Sequence, residues 1–497
     1  MKKTTLRKDE IMKNDLTSKG EKPTMKTTVK LLASLLFVPL FALHAADARK
    51  PNILVIVGDD MGYSDVGFQN CKDIPTPNLD RLAADGVRFA SGYVSGPYCS
   101  PSRAGLMSGR YQTRFGHEFN SGGAGGGLPV TETTLANHLK SGGYVTGIVG
   151  KWHLGNSPAM HPQQRGFDTF FGFLGGMHSY FDAGGIMRGT EPVKEMDYTT
   201  DAFSREACSF IEQNKERPWF LYLAFNAVHT PMNATKDRLA KFPNIANKQR
   251  RTYDAMMLAL DEAIGKVRAK LAETGQAENT LITFISDNGG PVMHIFGDTV
   301  NGSRNDPLRG SKCTTLEGGI RVPFVIAWPG HVKPGVFDPP VIQLDLHATA
   351  LAAAGVDPKP EWKLEGVNLL PFVSGEKAGS PHKALFWRFG RQMAIRSGDW
   401  KLVRYVKAAD GEKSTSGRRL PSAPVTETKL YNLANDIHED KDLAANMPEK
   451  VKELQTMWDE WNKLNIAPGA KDDGRDNDGA EPDAPKIKEP KNLKQTL

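Results

Sequence analysis

The sequence predicts an α/β fold: a large, mostly parallel sheet flanked by helices, with a smaller C-terminal antiparallel sheet plus a helix. Three observations predict it. Short, continuously apolar runs recur between residues 51 and 328, as strands buried on both faces of a parallel sheet do. Helical patterns alternate with them, as strand–helix–strand units require. From about residue 380 the runs become short and alternating, the pattern of an antiparallel sheet with one wet face.

Residues 51–58 form the first apolar run and end in Gly58. Thr76-Pro77 then opens a helix through Leu79, Leu82 and Ala83, closed by Gly86, with proline where a helix tolerates it best. Residues 134–140 read as helix and 144–150 as the second strand, with 219–225 as the third. A long helix carries Tyr253, Met256, Met257, Leu260, Ile264, Val267 and Leu271 on one face. Residues 280–286 and 322–328 are further strands. The small sheet takes 384–388, 392–396, 400–405 and 429–433, and a helix with Val451, Leu454, Trp458 and Trp461 packs against it. The sequence contains no internal repeat.

At 497 residues the chain exceeds one ordinary domain and can bury a large core. A content of 39% apolar and 24% charged residues is that of a soluble globular protein, and a net charge of +6 without a Lys/Arg tract gives no basis for a nucleic-acid partner. Lys26 and Lys30, the apolar run 31–43 and the small residues Ala45, Ala46 and Ala48 describe a secretory signal peptide over 25–48. The expected location is therefore secreted or periplasmic. The apolar run is too short for a stable membrane span. Residues 1–24 read as a non-native N-terminal extension, with translation starting at Met25. The expected organisation is then a catalytic domain over 49–379, a C-terminal subdomain over 380–465 and a disordered, Asp/Gly/Pro/Lys-rich tail over 466–497. Four cysteines, Cys71, Cys99, Cys208 and Cys313, are too few for a disulfide framework. The lack of a C-x-x-C pair argues against a thiolate zinc site.

The polar residues cluster where strands end, the edge that forms the binding crevice in open α/β sheets. Asp59-Asp60 follow the first strand, Lys151-Trp152-His153 the second, Asn226 to His229 the third, and Asp287-Asn288 the fourth. Cys99 precedes a helix, whose N-terminus favours anions. An Asp-Asp pair alone is what solvated turns carry. Three carboxylates and an amide on one edge suit a hard divalent cation, Ca²⁺ or Mg²⁺, with a larger, more flexible shell favouring calcium. Arg103, Lys151, His153, His229 and Lys312 face them.

Cys99-Ser100-Pro101-Ser102-Arg103, with Gly109-Arg110 behind it, resembles the signature at which type I sulfatases have their cysteine oxidised to formylglycine (3-oxoalanine). Six further blocks fit that family in order and spacing: P-N-I-L-V-I-V-G-D-D-M-G from 51, G-K-W-H-L-G from 150, H-P-Q-Q-R-G-F-D from 161, H-T-P from 229, S-D-N-G-G from 286 and L-R-G-S-K from 308. From Pro51 to about Leu464 the chain is similar to sulfatases of the alkaline-phosphatase superfamily, of the arylsulfatase and N-acetylgalactosamine-6-sulfatase kind. The resemblance implies that Asp59, Asp60, Asp287, Asn288 and the modified Cys99 bind Ca²⁺, with Mg²⁺ the lesser alternative. Arg103, Lys151 and His153 would hold and activate the formylglycine hydrate, His229 would protonate the leaving oxygen, and Lys312 would bind the sulfate. The implied route runs through a covalent sulfo-enzyme, and a formylglycine-generating enzyme is the implied maturation partner. With Cys99 modified, at most one disulfide can form. Ser311 and Cys313 stand where glycines often flank the lysine, which leaves its loop less defined.

Two alternatives accompany this reading: a phosphomonoester or phosphonate ester hydrolase on the same fold, and a non-catalytic glycan-binding homologue. The expected substrate is a sulfated sugar or polysaccharide fragment, cleaved by exo-action. Arg114, His117, His178, Tyr180 and Arg188 are candidate glycan contacts, and the glycine-rich stretch 122–127 is a candidate rim.

Overall fold

The computed structural model describes residues 49–120, 126–295, 300–411 and 423–467. The expected extension (1–24), the signal peptide (25–48), nearly all of the expected tail and most of the stretch 122–127 lie outside the described residues.

Among the described residues ten strands form one sheet: β1 (Asn52–Gly58), β2 (Val87–Phe89), β3 (Val145–Lys151), β4 (Thr169–Phe173), β5 (Met187–Arg188), β6 (Glu191–Pro192), β7 (Trp219–Ala224), β8 (Thr280–Ser286), β9 (Phe324–Ala327) and β10 (Gly335–Phe337). Their spatial order is β10-β2-β9-β8-β1-β7-β3-β4-β5-β6. The central five, β8-β1-β7-β3-β4, are parallel throughout. The run at 322–328 does form a strand, β9, but it lies antiparallel between β8 and β2.

Alternate side chains of the central strands feed two cores. Ile53, Val55 and Val57 of β1 join Phe220, Tyr222 and Ala224 of β7 on one face. There they meet α2 (Cys99–Ser108), α3 (Leu135–Ser141) and α6 (Leu344–Ala354). Leu54, Ile56, Trp219, Leu221 and Leu223 line the other face, against α1 (Pro77–Ala84), α4 (Thr199–Gln213) and α5 (Lys248–Glu273). Each such buried side chain contributes about 1.5–3 kcal/mol. All ten residues of α2 are buried, so the helix that carries Cys99 is locked on every side.

The small sheet is β11 (Leu385–Phe389), β12 (Gln392–Ser397), β13 (Trp400–Arg404) and β14 (Lys429–Asn432), each antiparallel to the next. Helix α7 (Pro448–Asn462) buries Leu454, Trp458 and Trp461. These side chains continue the first core of the large sheet. Trp387 Nε1 donates to Val94 O at 2.7 Å, and Trp458 Nε1 donates to Trp387 O at 3.0 Å. Among the described residues no helix is long and apolar enough to cross a membrane, and all four cysteines are free.

Candidate active site

The central strands end level. Val57 lies opposite Ala224 and Ile285, Gly58 opposite Ser286, and Gly150 opposite Ala224. The residues that leave β1, β3, β7 and β8 therefore emerge along one edge. Asp59 keeps the pairing going past the strand: its N–H donates to Ala227 O at 2.9 Å, and its carbonyl accepts from Val228 N at 2.8 Å. Asn301 Nδ2 then ties both turns, donating to Asp60 O and Val228 O at 3.1 Å each. At Gly150, φ is +112° and a Cβ would lie 1.8 Å from Ala224 O, so only glycine can precede Lys151 here. Asp60 (φ +60°) and His153 (φ +56°) are non-glycine residues in the left-handed region. Such positions cost on the order of 1–3 kcal/mol each and persist where the surroundings over-determine them.

Cys99 is the first residue of α2. Its Sγ lies 3.8 Å from Asp59 Oδ1 and 3.9 Å from Asp60 Oδ1. One turn on, Arg103 reaches Asp287 Oδ2 through Nε and Nη2 (2.9 Å each), and Nη2 stands 3.7 Å from Asp59 Oδ2. Lys151 Nζ is 2.6 Å from Asp59 Oδ2. Asp60 collects Lys312 Nζ at 3.0 Å and His229 Nε2 at 3.5 Å on Oδ2, and Asn288 Nδ2 at 2.7 Å on Oδ1. His153 joins through its carbonyl, which accepts from Ser100 Oγ at 2.6 Å. Asp59, Asp60, Cys99, Arg103, Lys151, His153, His229, Asp287, Asn288 and Lys312 thus meet in one place. All are buried except His153, which is half-buried.

The cations and carboxylates in this cluster set each other's protonation. Burial alone would raise the Asp59 carboxyl, but Lys151, His229 and Arg103 outweigh it and hold it well below its ordinary value. Burial and then the Asp59 charge push Asp287 up to about 6, despite its contact with Arg103. The two carboxylates compete for the same cations, so added positive charge is what would keep both ionised. Lys151 stays protonated: burial works against its charge, and Asp59 more than restores it. Burial also pushes the Cys99 thiol well up. Burial, then Lys151 and Arg103, push His153 well below its usual value, leaving a neutral imidazole whose Nδ1 has no hydrogen-bond partner among the described residues.

The residues fit a hard cation. Asn288 Oδ1 is buried and has no partner among the described residues, although its Nδ2 is engaged. Asp59, Asp60, Cys99 and His229 offer ligand atoms that all lie within 4.8 Å of one another. Asp287, also expected among the metal ligands, accepts from Arg103 Nε on Oδ2 at 2.9 Å. Its Oδ1 accepts from Asp60 N at 3.2 Å.

The candidate glycan contacts are each engaged within the protein. Arg114 is spent on Glu365 (2.8 Å), Trp461 O and Asn465 (2.9 Å each), and pins the end of α7. Tyr180 is fully buried, and its hydroxyl donates to Asn226 O at 2.6 Å and approaches His229 O at 2.9 Å, so it supports the His229 turn. His178 has both ring nitrogens on backbone carbonyls, those of Ser179 and Gly184. Arg188 makes a two-pronged pair with Glu206 at 2.7 Å and covers the Phe171 ring. His117 is buried against Ser100 Oγ at 2.7 Å, where burial lowers it to about 4. Ser100, Asn301 and Tyr222, whose hydroxyl is 3.5 Å from Arg103 Nη1, belong to the site and were not anticipated. Asn301 lies in a loop with no local pattern and Tyr222 inside an apolar strand, whereas Ser100 stands inside a recognisable block.

A family profile described as Sulfatase matches residues 51–356. A second, described as N-sulphoglucosamine sulphohydrolase, C-terminal, matches 311–464. The chain is 35% identical over 415 residues to N-acetylgalactosamine-6-sulfatase of Homo sapiens, covering 78% of this chain and 77% of that one. It is 31% identical over 467 residues to arylsulfatase G of Mus musculus, covering 82% and 86%. The crystal structure of Ps i-CgsB in complex with k-i-k-neocarrahexaose matches with a TM-score of 0.76 at 38% identity, over 85% of this chain and 95% of that one. With Asp59, Cys99, Lys151, His229, Asp287 and Lys312, each from one of its sequence blocks, gathered in one cluster, the chain belongs to the sulfatase family and is a sulfuric ester hydrolase.

Proposed function

We propose that this protein is an exported, formylglycine- and calcium-dependent sulfatase that removes sulfate by exo-action from a sulfated sugar or polysaccharide fragment. The observation that carries the mechanism is the state of Cys99. Its thiol is buried beside Asp59 and Asp60 and held protonated, and a protonated thiol is a poor nucleophile. Conversion to formylglycine resolves this, because the hydrate of the aldehyde supplies a nucleophilic oxygen. Calcium, held by Asp59, Asp60, Asp287, Asn288 and the modified Cys99, would polarise a sulfate oxygen and favour the ionised nucleophile.

The chain's own side chains do the rest. Lys151, Arg103 and Lys312 present fixed positive charge to the equatorial oxygens of the transferring group. His153, neutral and with Nδ1 unpartnered, can take a proton from the nucleophilic oxygen. His229 donates Nδ1–H to Thr230 O at 2.7 Å, which leaves Nε2 toward Asp60 as the atom that would protonate the departing sugar oxygen. The substrate class draws on the sulfated amino sugar in the name of the human relative and the oligosaccharide bound by Ps i-CgsB. The leader over 25–48 supports export.

The test pairs maturation with turnover. Protein made with a formylglycine-generating enzyme should yield a Cys99 peptide lighter by about 18 Da, the change from CH₂SH to CHO. It should cleave 4-nitrophenyl sulfate in preference to 4-nitrophenyl phosphate. Chelation should abolish turnover, with Ca²⁺ restoring it better than Mg²⁺, and Cys99→Ala should be inactive while still folded. A phosphate preference would favour the phosphoesterase alternative; an unconverted Cys99 under competent conditions would favour the glycan-binding one.

A further inference from the structure

The segment His117-Glu118-Phe119-Asn120 grips the nucleophile end of α2 from one side and the C-terminal sheet from the other. Ser100, the residue after Cys99, gives its hydroxyl proton to His153 O at 2.6 Å. The 2.7 Å contact between Ser100 Oγ and His117 Nε2 must then be a bond donated by His117, because a hydroxyl has one proton to give. The Ser100 N–H donates to Asn120 Oδ1 at 3.0 Å. Facing away, the buried Glu118 accepts from Arg388 Nε at 3.0 Å and Gly390 N at 3.1 Å. Phe119 rests on Phe389, ring centroids 5.0 Å apart. Arg388 and Phe389 belong to β11 and Gly390 to the turn that follows it.

Ser100 is therefore covalently next to Cys99 and hydrogen-bonded to the backbone of His153, whose φ of +56° needs outside support. We propose that His117 and Ser100 are positioning residues that hold Cys99 and His153 in register, and that Glu118 makes the C-terminal sheet part of that support. Neither touches the ester: His117 acts through Ser100, and Ser100 acts through the backbone of its two neighbours. The kinetic part of this inference rests on the sulfatase reading; the geometric part does not.

Wild type, Ser100→Ala, His117→Ala, His117→Gln and the Ser100→Ala/His117→Ala double variant test it. Formylglycine content is measured by mass spectrometry, and kcat and KM on 4-nitrophenyl sulfate are expressed per converted enzyme. Amide exchange is followed over 99–103 and 150–155. His117→Ala should lower kcat about 10- to 100-fold with KM within about threefold, since a misplacement near 1 Å costs on that order. The double variant should lose no more than the worse single one, as residues acting through one bond do. His117→Gln, which returns a donor near the Nε2 position, should recover about tenfold in kcat. Exchange should rise in both segments. Additive losses, a kcat within about twofold of wild type, or unchanged exchange would overturn the proposal. If wild type hydrolyses no sulfate ester, the sulfatase reading fails, and the exchange comparison still decides whether the clamp exists.

Discussion

His229 shows how much of the chemistry hangs on single side chains. Its Nδ1 is committed to the Thr230 carbonyl at 2.7 Å, and Tyr180 holds its backbone from behind, so Nε2, 3.5 Å from Asp60 Oδ2, is the nitrogen turned into the site. If its role is protonating the leaving oxygen, His229→Ala should hurt poor leaving groups most. Turnover of a sugar sulfate should drop by about 10²–10⁴, the usual worth of a general acid, while 4-nitrophenyl sulfate should lose far less because its phenolate leaves unaided. Equal losses on both substrates would assign His229 to sulfate binding instead. Asp59, Asp60, Lys151, His153, His229 and Asp287 were legible because they follow apolar runs, whereas Arg103 and Lys312 were legible only through the blocks that contain them. The partners of Arg114, His178, Tyr180 and Arg188 were not: these residue types bind sugars, but sequence cannot tell an open hydrogen-bonding group from one already paired inside the fold.

Elements were legible where apolar and polar residues contrast. Strand β8 occupies residues 280–286 as expected, and α5 carries its predicted apolar face but begins at Lys248, capped by Asn247. Helix α6 went unread: its Leu344–Ala354 run is apolar nearly all round and buried, so it has no periodic contrast to detect. Its burial has a consequence, because His347 of α6 and His138 of α3 meet in the interior with Nε2 and Nδ1 2.9 Å apart. Burial lowers His138 to about 4, and burial followed by His138 pushes His347 well below its ordinary value. An unfolded histidine takes its proton near pH 6.5, so below that pH the unfolded chain binds more protons than the folded one. Stability should therefore fall as pH drops from about 6.5 toward 4. The His138→Leu/His347→Leu double variant should flatten that part of the Tm–pH curve; an unchanged slope would mean that other groups govern it.

At the scale of the molecule, the change of texture near residue 380 correctly announces a second sheet, yet it does not reveal that both sheets share one interior. The reason is that the joint is made by residues which, singly, look like surface charges. Lys401 of β13 is fully buried, with Nζ 2.8 Å from both Glu317 and Glu439. Glu317 precedes β9 of the large sheet, and Arg321 meets it at 3.2 Å. Burial opposes the Glu317 charge, but Lys401, Arg321 and Arg396 lower it to about 2, whereas burial raises Glu439 to about 7. Lys401→Met would leave two buried carboxylates with one fewer cation, a loss of about 3–5 kcal/mol. Without the lysine both acids shift upward, and acids whose folded value is raised lose stability as pH rises through it. The deficit should therefore be larger at pH 8 than at pH 5. Because Trp387, Trp458 and Trp461 continue the core that Val55 and Tyr222 begin, the variant should melt in one calorimetric transition, shifted as a whole. A second transition left at the wild-type temperature would mean that the two sheets unfold separately despite their common core.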